Sequence, residues 1–485
     1  MLRKRTIVNL LLVLSLVAAL LVACGPTPEP TTVPEAEPTT APEPEPTEAA
    51  EPTAEPEPEM DAVSQIEFTE PVELEFWHTK TGSEEELLNE IVAEFNATNE
   101  YGITVVPTSI EGSYDQIFKD TVAGLAVGEV PDLVVAYPSM VAEYMEAEAP
   151  LALDPYVASG KYGLTEEELN DYFPVYIEDN TYPAYDNQML SWPFHKSMVV
   201  LFANKTLLEM AGVDKMPETW QEFYDGCKMV VENTDATNCW SIHVEASDLD
   251  GFMASVGVYP QVDSAALTSR MNDPAFVEWF ELVQQMVDEG LARPEAERYS
   301  GDDEMVALDA AYTTGSSSGI FYFPANEDGT FAVDWNVIPI PHAEGVDPVS
   351  TVYGANVMAV KEDDAQRDLA KWLFIKYWSS PDVVKKWILG TEELRGSSYM
   401  PLQRSLAADP DVLAYIEKSY QNQRWGEAVA QLEIGVIEPQ LAGQQAVRDI
   451  LEDAYLRIIG GEDVQTVLDE SKVLADEIFQ LKGGQ

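Results

Sequence analysis

The stretch SWPFHKSMVVLFANK, Ser191–Lys205, sets a polar and aromatic cluster directly before an apolar run. The run Met198–Phe202 contains no polar residue, which is typical of a strand that is covered on both faces. A helical pattern begins after Lys205. We therefore predict a buried strand followed by a helix. Trp192–Ser197 would lie at the entrance of that strand, either as ligand contacts or, for His195 and Lys196, as solvated rim residues.

Strand and helix patterns alternate before this stretch. Val72–Trp77, Ile103–Val106 and Leu133–Tyr137 have the composition of strands, and helical patterns separate them. Ser83 and Glu86 have the spacing of a capping box, which predicts Ser83 as the N-cap of the first helix. This order indicates an α/β fold with a parallel sheet covered on both faces. The helical pattern between the second and third of these strands spans about Tyr114–Val127. Beyond residue 363 the pattern is mostly helical, with helices predicted over Ala365–Trp378, Pro381–Leu389, Asp411–Ser419, Gln440–Ile459 and Val464–Leu481.

Length and charge narrow the class of protein. The 485 residues are enough for two or three domains, and the formal net charge is −59. A surface this acidic repels polyanions, so we expect no nucleic-acid partner.

The N-terminal residues have the features of a targeting segment. Basic residues precede the apolar run Ile7–Ala23, and small residues then precede Cys24, as in a bacterial lipobox. We predict a lipoprotein signal peptide over 1–24 with lipidation at Cys24; the alternative is an uncleaved signal anchor. Residues 25–60 are rich in Pro, Glu and Thr and predict a disordered tether. Either reading puts the remaining chain outside the cytoplasm, on the extracellular face of the membrane.

Two cysteines remain after Cys24. In an oxidising compartment Cys227 and Cys239 are expected to form a disulfide, and the alternative is a pair of buried free thiols. No CxxC or HExxH pattern occurs, so we expect no metal site, and no cofactor is expected either.

Aromatic and hydroxyl side chains gather where the predicted strands end. In open α/β sheets ligands bind at the carboxyl ends of strands. Aromatic faces together with neutral hydrogen-bonding groups suit a polyhydroxylated ligand. The candidates taken from these strand ends are Trp77, His78, Tyr137 and Trp192.

A series of motifs resembles a known family. The order FWHTKTG, GSYDQ, GEVPDLV, PFHKSMVVLFANKTLLEMAGV, PETWQEF, AYTTGSSSG, YGANVMAV and SSYMPLQRSL is similar to that of family 1 extracellular solute-binding proteins of ABC importers. The resemblance spans roughly residues 70–480. Within the family, FWH…G, GSYDQ and TTGSSSG are most similar to the glycerol-3-phosphate-binding type.

The resemblance implies a two-lobe periplasmic-binding-protein-like fold with crossed interlobe connections and a ligand cleft between the lobes. The first lobe would comprise 61–178 and 316–362, and the second 179–315 and 363–485. The lobes would close on the ligand by a hinge motion. Six further ligand-binding residues follow from the matching motifs: Tyr114, Ser197, Ser316, Ser317, Gly354 and Tyr399.

The implied function is that of a lipid-anchored receptor that captures a sugar or polyol and delivers it to a membrane permease. We expect a monomer that meets the membrane only through its anchor. Binding of glycerol-3-phosphate or a glycerophosphodiester is the alternative. Two departures from that type weaken it: Pro138 replaces an acidic residue, and the position of an arginine falls on Val447, beside Arg448.

Enzymatic and adhesive functions are the remaining alternatives. Gly315–Gly319 matches the GxSxG pattern of a hydrolase nucleophile, but only His342 follows it as a candidate base. A glycosidase needs two carboxylates at a set separation, which 86 acidic residues do not single out. An adhesive surface protein would have no ligand cleft. We therefore predict that the chain is not an enzyme.

Overall fold

Residues 61–483 are described by a computed structural model of the chain. The predicted signal peptide 1–24, its lipidation residue Cys24 and the predicted tether 25–60 lie outside the described residues. Within 61–483, no helix has the length and apolar character needed to cross a bilayer.

Helices and strands alternate along the described chain. The helices are α1 Gly82–Thr98, α2 Tyr114–Val127, α3 Pro138–Tyr144, α4 Asp154–Val157, α5 Glu166–Asp171, α6 Pro174–Glu178, α7 Lys205–Ala211, α8 Trp220–Asn233, α9 Ala246–Ser255, α10 Pro274–Asp288, α11 Gly301–Val306, α12 Ala365–Trp378, α13 Pro381–Leu389, α14 Arg404–Ala407, α15 Pro410–Ile416, α16 Tyr420–Val429, α17 Gln444–Ile459 and α18 Val464–Gly483. The strands are β1 Val72–His78, β2 Ile103–Ser109, β3 Leu133–Ala136, β4 Thr181–Tyr182, β5 Gln188–Met189, β6 Trp192–Pro193, β7 Ser197–Asn204, β8 Trp240–Ile242, β9 Val262–Asp263, β10 Thr268–Ser269, β11 Ala292–Pro294, β12 Tyr312–Ser316, β13 Trp335–Ile338, β14 Ser350–Tyr353, β15 Asn356–Ala359 and β16 Gly435–Ile437.

The first sheet has the strand order β2-β1-β3-β15-β6. Strands β1, β2 and β3 run parallel, which confirms the arrangement predicted from the alternating pattern. Strand β15 joins β3 in the antiparallel direction and also pairs with β6. The first sheet is therefore mixed, with a parallel half built from the start of the chain.

The second sheet has the order β11-β8-β12-β7-β14-β16, and β13 pairs with β7 beside this path. Strands β8, β11 and β12 are parallel, whereas β7 is antiparallel to β12, β13 and β14. The two mixed sheets confirm the predicted α/β class.

Strand β7 confirms the buried strand predicted from Met198–Phe202. All eight of its residues are buried. Successive side chains of a strand point to opposite faces. Met198, Val200 and Phe202 accordingly pack into one hydrophobic core, while Val199 and Leu201 pack into the other. The absence of polar residues in this run is thus explained by burial on both faces.

The chain crosses between the sheets in short segments. Phe194–Lys196 separates β6 of the first sheet from β7 of the second, and Gly354–Ala355 separates β14 of the second from β15 of the first. Strands β13 and β14, within 316–362, belong to the second sheet. Helices α12 and α13, within 363–485, contribute Trp372 and Trp387 to the core that contains the first sheet.

The first helix begins one residue earlier than its predicted cap. Helix α1 starts at Gly82, Thr81 is its N-cap, and no side chain caps it. The capping box predicted for Ser83 and Glu86 is therefore wrong. Gly82 has a φ of 59°, which glycine adopts without steric cost. This backbone conformation allows the helix to begin one residue before Ser83.

Cys227 of α8 and Cys239, which precedes β8, are joined by a disulfide with a Cα–Cα distance of 5.1 Å. Both residues are fully buried. The bond links the middle of a helix to the residue directly before the next strand.

Candidate ligand-binding site

A cavity of about 600 Å³ lies where strand ends of both sheets meet. Tyr114, at the start of α2, and Tyr137, directly after β3, line it from the first sheet. His243, directly after β8, and Ser316, at the end of β12, line it from the second. The volume is within the range of small-molecule sites in proteins. This cavity is the candidate ligand-binding site.

The structure brings several sequence-predicted residues together around this cavity. They come from six separate segments of the chain. Five of them lie at or directly beside the end of a strand or helix, and Tyr399 lies in the loop between α13 and α14. They are Tyr114, Tyr137, Ser197, Ser316, Gly354 and Tyr399.

Four other predicted residues do not line the cavity. The indole of Trp77 donates to Glu75 Oε1 at 2.7 Å, and that of Trp192, which is fully buried, donates to Ser379 Oγ at 3.0 Å. Ser317 Oγ accepts a hydrogen bond from the backbone N–H of Met198 at 3.0 Å. His78 is 1% exposed, and burial, followed by the charge of Lys80, lowers its pKa to about 4. These side chains serve packing and internal hydrogen bonds.

His195 and Lys196 are neither cavity residues nor solvated rim residues. Both are fully buried, so the prediction of a solvated rim is wrong for them. The imidazole of His195 stacks on the rings of both Trp387 and Tyr399, with centroid distances of 4.9 Å in each case. Burial holds the pKa of His195 well below its usual range, so the ring is neutral. The run from Trp192 to Lys196 therefore belongs to the core beneath the cavity.

Tyrosine rings form the aromatic part of the cavity wall. The rings of Tyr114 and Tyr137 lie 4.7 Å apart. The hydroxyl of Tyr399 accepts a hydrogen bond from Lys80 Nζ, and His195 packs against its ring. Burial raises the pKa of Tyr137 and of Tyr399, so both phenols stay neutral. They provide apolar ring surface together with uncharged hydrogen-bonding groups.

His243 contributes a charged donor that the sequence did not single out. Its Nδ1 lies 3.1 Å from Asp248 Oδ2, which also accepts a hydrogen bond from Thr314 Oγ1 at 2.6 Å. Burial favours the neutral imidazole, but Asp248, followed by Glu295, outweighs it and raises the pKa of His243 to about 9. The imidazolium is thus fixed in orientation. Its Nε2 has no hydrogen-bond partner within 61–483.

Two arginines line the cavity, and both are already paired. Arg448 donates to Glu438 Oε1 at 2.6 Å, to Glu245 Oε1 at 3.0 Å and to Ser247 Oγ at 3.0 Å. Arg298 donates to the other carboxylate oxygen of Glu245. Val447, where the family pattern was expected to show an arginine, is 3% exposed and packs in the core. Arg448, the next residue on α17, lines the cavity, whereas Val447 does not.

Carboxylates make up much of the remaining lining. Sequence patterns did not find them, because nothing separates them from the rest of the 86 acidic residues of the chain. Burial, together with the charges of Asp303 and Glu295, raises the pKa of Asp302 to about 7. The carboxylates that line the cavity are Asp115, Glu245, Asp248, Glu295, Asp302, Asp449 and Glu452.

Comparison with known proteins identifies the family. A model of bacterial extracellular solute-binding proteins matches residues 90–417. The chain belongs to this family. Among curated relatives, the sn-glycerol-3-phosphate-binding periplasmic protein UgpB of Rhizobium meliloti is 24% identical over 419 residues, covering 82% of this chain and 92% of that relative. UgpB of Brucella abortus is also 24% identical, over 420 residues, covering 82% of this chain and 91% of its own.

Solved structures share the fold of this solute-binding protein. The cyclic alpha-maltosyl-1,6-maltose binding protein of Arthrobacter globiformis superposes with a TM-score of 0.70 at 17% identity, covering 85% of this chain and all of its own. UgpB of Mycobacterium tuberculosis, in complex with glycerophosphocholine, has a TM-score of 0.67 at 17% identity, covering 85% and 99%. At these identities the likeness establishes the fold.

This solute-binding protein is not an enzyme. Its GxSxG match, Gly315–Gly319, has Ser317 at the nucleophile position. That serine is fully buried and is hydrogen-bonded to the backbone of β7. A hydrolase elbow instead exposes its serine on a sharp turn between a strand and a helix.

Proposed function

We propose that the protein is the binding component of an ABC importer, capturing a sugar or related polyol in the cavity and delivering it to a membrane permease. The observation that carries the choice of a polyol is the state of the two lining arginines. Arg298 and Arg448 are already neutralised by Glu245 and Glu438. A phosphate would have to compete with these glutamates for its guanidinium partners.

In this proposal the predicted cavity residues contact the ligand in two ways. Tyr114, Tyr137 and Tyr399 offer ring faces to the apolar C–H surfaces of a sugar. Ser197, Ser316 and the backbone at Gly354 offer neutral hydrogen-bonding groups to its hydroxyls. Gly354 has a φ of 98°, and a Cβ there would lie 2.2 Å from the carbonyl oxygen of His195, so only glycine fits.

We further propose that the two sheets form the cores of two lobes. The crossovers Phe194–Lys196 and Gly354–Ala355 would then act as hinge segments, because each leads directly from one sheet into the other. Ligand would favour the closed arrangement, and the permease would bind that arrangement preferentially.

A glycerol phosphate remains the second candidate. Arg448 favours it, since its guanidinium reaches the cavity from the helix on which the family resemblance implied an arginine. Binding of an anion would require Glu438 or Glu245 to release that group.

Lipid anchoring at Cys24 is also proposed, on the basis of the basic and apolar residues that precede it. Membrane fractionation tests it: Cys24→Ser should move the protein from the membrane to the soluble extracellular fraction. If the variant stays in the membrane fraction, the alternative of an uncleaved signal anchor is favoured over lipidation at Cys24.

Thermal unfolding against a ligand panel tests the transport function. The panel contains mono- and oligosaccharides, polyols, glycerol-3-phosphate and glycerophosphocholine. A ligand at 100 times its Kd adds about 2.7 kcal/mol, a shift of a few degrees. We expect a sugar or polyol to shift the transition. A shift with phosphate esters alone would favour the second candidate, and no shift at all would count against a small-molecule receptor.

A further inference from the structure

The cavity carries more negative charge than its cations balance. Each lining cation within the described chain already has a carboxylate partner. Arg298 pairs with Glu245, and Arg448 pairs with Glu245 and Glu438. His243 lies between Asp248 at 3.1 Å and Glu295 at 3.8 Å. No lining cation is therefore left over for a further anion.

Two partly buried carboxylates in the same cavity lack a cationic partner. No hydrogen bond or ion pair reaches the carboxylate of Asp302 among residues 61–483. Glu452 Oε1 accepts only the backbone N–H of Ala246, at 3.0 Å. Burial raises the pKa of both groups, and neighbouring carboxylates add to it, Asp303 and Glu295 for Asp302 and Glu245 for Glu452. The charges of His243, for Asp302, and of Arg448 and Arg298, for Glu452, oppose this rise without outweighing it. A positive charge placed beside them would relieve this repulsion.

A second, independent observation indicates a ligand in this part of the cavity. The side chain of His243 is 5% exposed, and its Nε2 has no hydrogen-bond partner in the described part of the chain, residues 61–483. An unpaired buried donor is costly. Nε2 is 3.8 Å from Glu295 Oε1, too far for a direct hydrogen bond. A ligand hydroxyl between the two atoms would accept from His243 and donate to Glu295.

We propose that the ligand is a cationic saccharide, with a hydroxyl bound between His243 and Glu295 and an amine bound by Asp302 and Glu452. This inference rests on the proposed function, because it assigns the chemical class of the ligand in that same cavity. The net charge of −59 would also attract such a ligand to the protein from solution. Tyrosine rings along the cavity add surfaces that bind cations favourably.

The test uses saccharides that differ only in the amine. Mono- to trisaccharides of glucosamine are compared with their N-acetyl and hydroxyl counterparts by titration calorimetry near pH 7.5. An amine held by carboxylates should improve affinity about tenfold to hundredfold over its neutral counterparts. Raising the salt concentration from about 20 to 300 mM should weaken binding of the amino saccharides and leave binding of the neutral saccharides unchanged, because salt screens interactions between charges.

Matched variants test the residues. Asp302→Asn should reduce the ratio of amine to neutral-saccharide affinity and the salt dependence of amine binding. Asp288→Asn is the control, because that side chain is exposed and lies outside the cavity lining. Glu452→Gln tests the second carboxylate independently, should the first variant fold poorly.

The outcomes separate this inference from the proposed function. The proposal of a cationic ligand is wrong if a neutral saccharide binds as tightly as its amine counterpart. It is also wrong if the preference for the amine survives both Asp302→Asn and Glu452→Gln. Either result leaves the proposed receptor function intact. Binding of phosphate esters alone also overturns the proposal of a cationic ligand. If no saccharide of any charge binds, the proposed function fails together with the inference.

Discussion

Lys196 and Asp179 form a buried ion pair at the point where the chain crosses between the sheets. Lys196 Nζ lies 2.7 Å from Asp179 Oδ2, and the two side chains are 0% and 1% exposed. The same ammonium donates to Gly354 O at 2.9 Å and to Asn356 Oδ1 at 3.1 Å. Lys196 belongs to one crossover and Gly354 to the other. One buried charge thus joins both segments that we propose as hinges.

Removing this charge should destabilise the fold strongly. Lys196→Met leaves the buried Asp179 without a cationic partner, although Asn356 Nδ2 still donates to its Oδ2 at 2.9 Å, and this costs about 3–5 kcal/mol. Urea unfolding of the variant and the wild type measures the difference. The double variant Lys196→Met with Asp179→Leu should recover part of the loss, because no unpaired charge remains. A loss below about 1 kcal/mol in the single variant would contradict a structural role for the pair.

Loss of the disulfide should also lower stability, because the unfolded chain then gains conformational entropy. Cys227 and Cys239 are 12 residues apart in sequence. Closing a loop of this length contributes about 3 kcal/mol in the chain-entropy model. Urea unfolding of the variant in which both cysteines are Ala should show a loss of this order. Reducing agent should then leave the variant unaffected while it destabilises the wild type.

His243 predicts a loss of stability on the alkaline side. Its pKa is raised to about 9 in the folded protein, above the usual value of 6.5. The folded state therefore holds this proton more tightly than the unfolded state. The resulting stability is fully present below about pH 6.5 and is lost as the pH rises through about 9, on the order of 3 kcal/mol in total.

Unfolding temperatures measured between about pH 6 and pH 10 test this expectation. His243→Asn should flatten the decline in that window, whereas His342→Asn, outside the cavity, should keep the wild-type profile. A decline that is identical in all three proteins would assign the effect to other groups.

Tyr114 should contribute to ligand affinity by its ring. Once a saccharide that binds is found, Tyr114→Ala should weaken it by about 1–3 kcal/mol, roughly tenfold to hundredfold. Tyr114→Phe should retain most of the affinity if ring contact dominates. Tyr224→Ala serves as control, since that ring lies on α8 outside the cavity lining. Equal affinity in the Tyr114→Ala variant would remove this ring from the proposed site.

Several features of this protein followed from its sequence alone because they depend on local pattern. Helix α2 occupies the predicted span Tyr114–Val127, and helices α12 and α13 occupy Ala365–Trp378 and Pro381–Leu389, also as predicted. Helix ends were less certain. The helix predicted over Asp411–Ser419 ends at Ile416, because Ser419 accepts the N–H of Asn422 and caps a new helix. A capping residue and a residue within a helix are not distinguished by apolar periodicity.

The membership of the cavity was decided by the tertiary structure. The position of a residue at a predicted strand end selects Trp77 and Trp192 as readily as Tyr137. Of these three residues only Tyr137 lines the cavity, because the direction in which a side chain points depends on how neighbouring elements pack. Arg448, His243 and Asp302 carry no local signal among so many charged residues. Sequence periodicity determined the α/β fold and the buried strand, since these depend on near neighbours in the chain. Which charges meet, and which stay unpaired, depends on contacts between distant segments that only the folded chain brings together.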